Sequence, residues 1–134
     1  MPQYETADDR ENQLAAQVIL ESQGFEVMQT GTFHPSDLFI SWAGSPYAIA
    51  EYKRRKVRYD PVKIDCSKID FLLEKGIELG VKPVLIYSFG SVAPLYVFTC
   101  RAGLKTAPFQ RNRGGRGDPV TLAYEIPAGE WKQI

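Results

Sequence analysis

The chain has 134 residues and carries 16 basic and 16 acidic side chains, so its formal net charge is zero. This length suits one domain with a sizeable core and is too short for two. Hydrophobic residues make up 44% and charged residues 24%, which argues against overall disorder. No apolar run is long enough to cross a bilayer, and the acidic N-terminus lacks a secretory signal pattern. Cys66, Cys100 and His34 have no metal-ligand spacing, so neither a zinc site nor a histidine-based triad is expected.

The neutral total hides an uneven distribution of charge. Residues 1–50 carry one basic and seven acidic side chains, whereas residues 51–100 carry nine and six. The densest basic run is residues 53–58, and a second run lies in the Gly/Arg-rich stretch 111–117. Each run is typical either of a solvated surface or of a groove that binds phosphates, and the sequence leaves both open.

The first half of the chain predicts a helix followed by three strands. The helix spans residues 7–23, with a capping residue at Thr6 or Asp8 and Gly24 after its end. A strand follows at 25–30, and then a loop at 31–36. Residues 37–53 predict a β-hairpin. The apolar stripe of the helix is predicted to be Leu14, Ala15, Val18 and Ile19.

The second half predicts a further helix and two or three strands. The helix spans residues 65–79, and apolar strands follow at 82–89 and 95–100. Residues 120–126 predict a last, edge strand, preceded by a loop at 111–117. The expected fold class is α/β, with a central mixed sheet flanked by two helices. One domain, 1–134, is expected, with a core at about 7–100 and a basic loop and edge strand at 101–134. The inner face of the second helix is predicted to be Ile69, Leu72, Leu73 and Ile77.

Three charged residues of the predicted hairpin indicate a catalytic site. Asp37 opens one strand, and Glu51 and Lys53 project from the same face of the other because they are two residues apart. Two clustered carboxylates repel each other, and a hard divalent cation such as Mg²⁺ or Mn²⁺ removes that conflict. A metal ion beside a lysine can catalyse phosphodiester hydrolysis, because the metal activates a water and the lysine stabilises the developing negative charge. The alternative is that Glu51 and Lys53 form an ordinary ion pair on the surface.

Glu11 and the basic run extend this hypothesis. Glu11 precedes Leu14 and Val18 by three and seven positions, so we expect it on the predicted inner face of the first helix. It either faces the metal or only sits in a first turn that favours acids. Contacts to backbone phosphates are predicted for Arg54, Arg55, Lys56, Arg58, Lys68, Arg111, Arg113 and Arg116.

At these residues the chain resembles the PD-(D/E)xK nuclease superfamily. The matching parts are the His-Pro-Ser-Asp stretch 34–37, the Ala-Glu-Tyr-Lys stretch 50–53 and the αβββαβ order around them. Within the superfamily, the chain is most similar to archaeal-type Holliday junction resolvases and small phage or plasmid nucleases. The resemblance implies a restriction-endonuclease-like core and covers residues 11–89.

The resemblance also implies roles for individual residues. Asp37, Glu51 and the backbone carbonyl of Tyr52 would bind Mg²⁺ or Mn²⁺, Lys53 would be the catalytic lysine, and Glu11 would contact metal-bound water. The family often carries a glutamine on the helix after the lysine, and Lys68 or Asp70 stands there in this chain.

The expected function is therefore a metal-dependent DNA endonuclease in the cytoplasm of a bacterial, archaeal or phage-infected cell. It would act on duplex or branched DNA, as a homodimer if the resemblance extends to assembly. The alternatives are a catalytically silent nuclease fold that binds nucleic acid or docks into a complex, and an accessory protein with no nucleic-acid role. Alanine at position 37 or 51 is expected to abolish activity with little loss of stability, because it relieves carboxylate repulsion.

Overall fold

A six-stranded mixed sheet forms the centre of the protein in the computed structural model. The structure describes the backbone of residues 7–29, 37–91, 93–109, 112–113, 116–117 and 120–134, and the side chains of 13–28, 38–91, 93–109 and 120–134. The helices are α1 (Ala7–Ser22) and α2 (Cys66–Leu79). The strands are β1 (Phe25–Gln29), β2 (Asp37–Trp42), β3 (Ser45–Arg55), β4 (Val62–Asp65), β5 (Lys82–Phe89), β6 (Tyr96–Thr99), β7 (Thr106–Phe109), β8 (Asn112–Arg113), β9 (Arg116–Gly117), β10 (Thr121–Ile126) and β11 (Lys132–Gln133).

The strand order of the central sheet is β1-β2-β3-β5-β6-β11. Strands β3 and β5 are parallel, and the other neighbours are antiparallel. The parallel pair requires a crossover connection, which β4 and α2 provide. The predicted hairpin forms as β2 and β3, and the predicted strand at 82–89 forms as β5. The predicted fold class, a mixed sheet flanked by two helices, is confirmed.

The two helices cover opposite faces of this sheet. The face of α1 buries Leu38, Ala48 and Ala50. The face of α2 buries Ile49, Leu85 and Tyr87 together with Ile69 and Leu72 of the helix itself. Because side chains alternate along β3, the odd-numbered residues 49, 51 and 53 all belong to the α2 face.

The predicted buried stripe of α1 is wrong at Leu14 and Val18, whereas Ile19 packs against the core. Leu14 and Val18 are 48% and 63% exposed, whereas Ala16 and Leu20 are buried. Gln13 is also buried and lies on the same stripe. The helix carries two overlapping apolar stripes, and the small Ala16 marks the one that can lie against the sheet. Apolar periodicity does not indicate the buried stripe, because the stripe includes the polar residue Gln13.

The inner face of α2 also differs from its prediction at one position. Ile77 is 84% exposed, and Gly76 is buried instead. A Cβ atom at position 76 would lie 2.9 Å from the Val81 carbonyl oxygen, so this close approach to the following strand requires glycine. The inner face therefore consists of the buried Ile69, Leu72 and Gly76 and the partly buried Leu73.

A second sheet, β4-β10-β7, lies beside α2. Strand β10 was predicted at an edge, but it is the central strand, because β4 and β7, which the sequence pattern did not reveal, flank it. Tyr124 of β10 donates a hydrogen bond of 2.7 Å to Asp70 Oδ1 of α2, and this bond raises the pKa of Tyr124 to about 12. Strands β8 and β9 pair with each other inside the predicted loop 111–117. No helix in the described ranges is long and apolar enough to cross a membrane.

Candidate active site

The acidic pair of the hairpin lies at the last rung between β2 and β3. Asp37 is the register partner of Glu51, and β2 begins at this residue. Directly opposite positions of antiparallel strands share a face, so positions 37 and 51 both belong to the α2 face. Strand β3 continues past this rung to Arg55 with β5 as its partner. The rung therefore lies where β3 extends beyond the end of β2. The side chain of Asp37 is outside the described residues.

Glu51 is a buried carboxylate that faces a lysine from α2. It is 3% exposed. Lys68, in the first turn of α2, places its Nζ atom 2.6 Å from Glu51 Oε1. Lys53 follows Glu51 on the same face of β3 and is half-buried. The α2 face thus gathers two ammonium groups near the rung that carries two acidic residues.

Lys68 pairs with an acidic residue of the protein itself, because its ammonium contacts Glu51. The contact with DNA phosphates that the sequence predicted for Lys68 stays a prediction. A lysine in the first turn of a helix is disfavoured by the helix dipole, which is the signal that could have indicated a nearby acid. This ion pair joins β3 to α2.

Cys100 lies on the same face as this ion pair and is buried. The pKa of its thiol is raised to about 12, mainly by burial and secondly by the negative charge of Glu51. The thiol is therefore neutral at physiological pH and is not a nucleophile.

Alkaline titration should reveal Cys100 as a pH-dependent contribution to stability. Its folded pKa is above the unfolded value of 9, so its contribution is complete below pH 9 and declines as the pH rises towards 12. In wild type, the free energy of unfolding should decrease as the pH rises above 9. In Cys100→Ala we expect this decrease to be smaller by about 1 kcal/mol per pH unit. Urea unfolding between pH 8 and 10.5 measures this slope. Cys66→Ala is a comparison variant and not a silent control, because burial also raises the pKa of that half-buried thiol. An equal slope in wild type and Cys100→Ala would contradict the assignment.

Tyr52 anchors β3 from the other face of the sheet. Its hydroxyl group lies 2.9 Å from Ser88 Oγ of β5, and both side chains are buried. Burial raises the pKa of the Tyr52 hydroxyl. This contact fixes the backbone of β3 between Glu51 and Lys53. The Tyr52 carbonyl remains a predicted metal ligand.

The role predicted for Glu11 stays a prediction. Helix α1 covers the face of the sheet opposite to that of Glu51. The side chain of Glu11 itself lies outside the described residues. Gln13 is the buried polar residue of the described part of α1, and the sequence reasoning missed it.

Most of the basic run makes contacts within the protein. Arg54 donates a hydrogen bond of 2.6 Å to the Gly90 carbonyl, and Arg55 lies over the Tyr87 ring. Arg58 donates a bond of 3.0 Å to the Ala128 carbonyl and stacks 4.4 Å from the centre of the Tyr96 ring. Lys56 is exposed. These arginines therefore also hold the ends of β3 and β5 and the C-terminal segment together. The side chains of Arg111, Arg113 and Arg116 lie outside the described residues.

The donor chemistry of the rung suits a hard divalent ion. A buried carboxylate at Glu51, an aspartate position opposite it and strand carbonyls provide the oxygen ligands that Mg²⁺ and Mn²⁺ prefer. Within the side chains that the structure describes, no three His, Cys, Asp or Glu residues form a metal-binding group. The side chains of Glu11 and Asp37 lie outside this described part of the chain.

Comparison with solved structures identifies the fold. No protein-family model matches the chain, and no curated protein matches its sequence. The chain has an Hjc-like nuclease fold. Hjc is a Holliday junction resolvase from the archaeal hyperthermophile Archaeoglobus fulgidus, and it matches this chain with a TM-score of 0.62. The match covers 96% of this chain and 93% of Hjc at 10% sequence identity, so it establishes the fold and not the activity.

Proposed function

We propose that the protein is a metal-dependent endodeoxyribonuclease that hydrolyses phosphodiester bonds in duplex or branched DNA. The observation that carries the proposal is the rung between Asp37 and Glu51, with Lys53 on the same face, in an Hjc-like fold. The DNA partner is proposed from the same likeness, because Hjc is a Holliday junction resolvase. A homodimer would present two such sites to one junction.

The proposed residues have distinct tasks. Asp37, Glu51 and the Tyr52 carbonyl would hold Mg²⁺ or Mn²⁺, which lowers the pKa of a bound water and polarises the phosphate. Lys53 stabilises the negative charge that develops on the phosphoryl oxygens. The contact between Tyr52 and Ser88 keeps these groups in register. Glu11 would contact metal-bound water, as the resemblance to the nuclease superfamily implies.

Cleavage assays on two matched DNAs test the proposal. A four-way junction and a linear duplex of the same sequence are incubated with Mg²⁺, Mn²⁺ or EDTA. We expect metal-dependent cleavage, and a loss of at least about 100-fold in Lys53→Ala, because charge stabilisation of a transition state has this magnitude. Lys63→Ala removes an exposed lysine of β4 and should cut normally. Cleavage in EDTA, or undiminished cleavage by Lys53→Ala, would contradict the proposal.

A catalytically silent DNA-binding protein is the second candidate. The ion pair between Lys68 and Glu51 favours it, because this contact already compensates the charge of the Glu51 carboxylate. In that case gel shifts at low salt, where phosphate contacts are strongest, would show DNA binding without cleavage under any metal. If the protein shows neither DNA binding nor cleavage, the remaining alternative is an accessory protein that has no nucleic-acid role.

A further inference from the structure

We propose that the Lys68 ammonium competes with the divalent ion for the Glu51 carboxylate and so sets the metal affinity of the site, a role that rests on the proposed nuclease function. The Nζ atom of Lys68 lies 2.6 Å from Glu51 Oε1, within the range of a strong charge-assisted hydrogen bond. The side chain of Glu51 is 4% exposed and that of Lys68 is 25% exposed. A metal ion that binds this oxygen therefore competes with the ammonium for its electron pairs.

The charges around the rung support competition. Two acidic positions, 37 and 51, face two lysines, Lys53 and Lys68, so the formal charge of the group is zero before a metal ion arrives. A divalent ion would raise this charge to +2 if both ammonium groups stayed. Lys68 is bonded to a proposed ligand oxygen in the structure. Its departure removes one positive charge from the ligand and frees a lone pair for the metal.

The position of Lys68 is fixed by the fold. The backbone before α2 is tied to the second sheet, where Asp65 pairs with Ala123 and accepts a hydrogen bond of 2.9 Å from Thr121 Oγ1. The helix dipole disfavours a cation in this first turn, so the ammonium depends on Glu51 for its stabilisation. Lys68 is thus held at the site by its helix and can move only by changing its side-chain conformation.

Binding of Mn²⁺ alone, measured by electron paramagnetic resonance of the free ion, tests the proposal without any reaction. We expect Lys68→Gln to bind Mn²⁺ about tenfold more tightly than wild type, since a hydrogen bond between charged groups has to be broken in wild type only. Lys68→Arg keeps the positive charge and should stay close to wild type. The matched control is Lys75→Gln, because Lys75 lies on the same helix and pairs with Glu78 at 2.9 Å. Glu51→Gln should weaken binding in either background.

Thermal melts provide the second readout. Without metal, Lys68→Gln should unfold at a lower temperature than wild type, and saturating Mn²⁺ should raise its midpoint by more than it raises that of wild type. Equal Mn²⁺ affinity in wild type and Lys68→Gln, with Glu51→Gln still weakened, would overturn the role of Lys68 and leave the metal site intact. Equal tightening by Lys68→Arg would also overturn it, because charge would then not be the cause. Failure of both wild type and Lys68→Gln to bind Mn²⁺ would overturn the metal-dependent function itself.

Discussion

Replacing Glu51 by alanine is expected to destabilise the fold by about 2–3 kcal/mol, as well as to abolish DNA cleavage, because it strands a partly buried ammonium. The sequence alone predicted little loss of stability, since only carboxylate repulsion was considered. The ion pair with Lys68 reverses that expectation. Urea unfolding of the metal-free protein, followed by circular dichroism, measures the effect. Asp37→Ala leaves the ion pair in place and should lose activity with little loss of stability.

A double-mutant cycle separates the pair from other effects of the substitution. The cycle uses Glu51→Ala, Lys68→Ala and the double variant, all without metal. We expect a coupling energy of about 1–2 kcal/mol, so the double variant should be more stable than the sum of the single losses predicts. A coupling energy near zero would show that the contact contributes nothing to folding, and the destabilisation would then need another cause.

Trp131→Ala is expected to cost about 3–5 kcal/mol, which is the usual loss when a large aromatic side chain is removed from a core. Trp131 is 6% exposed. Its ring lies 5.2 Å from that of Tyr87, 5.7 Å from that of Phe98 and 6.1 Å from that of Phe89. It therefore joins the short C-terminal strand β11 to the centre of the α2 face. Since small domains have only about 5–15 kcal/mol of stability, this variant should melt far below wild type.

Two controls define the cause of that loss. Trp42→Ala removes the same side chain at a site that is 47% exposed, and its loss should be clearly smaller. Trp131→Phe keeps an aromatic ring and should retain most of the stability. Far-ultraviolet circular dichroism is the suitable probe, because the variants remove tryptophan fluorescence. A loss in Trp131→Ala no larger than that in Trp42→Ala would contradict the central role of Trp131.

The sequence predicted the elements with strong local signals. The hairpin of β2 and β3, the apolar strand β5 and the two helices all have clear periodicity or capping residues. The Asp37–Glu51 rung followed from the hairpin, since a short turn fixes the register of its two strands. Strands β4, β7 and β11 are short and carry little pattern, and they are defined by pairing with distant parts of the chain.

The buried face of α1 and the contact of Lys68 with Glu51 could not be predicted from local sequence signals. Leu14 and Val18 are as apolar as the residues that α1 buries, so composition did not indicate which stripe faces the sheet. The sequence placed Lys68 near the start of the second helix, but it did not indicate which acidic residue the ammonium would contact. Its contact with Glu51 arises because the crossover returns α2 across the face of β3, which is a property of the tertiary fold.

The connectivity of the candidate site has a consequence for the order in which the chain folds. Glu51 and Lys68 are 17 residues apart, and the β2–β3 hairpin is more local still. The Thr121–Asp65 contact that ties down the start of α2 spans 56 residues. Short loops close at a smaller entropic cost, so the acid and its lysine can meet while the ribosome is still extending the chain. Residues that are synthesised later, such as Thr121, would then secure a centre that is already assembled.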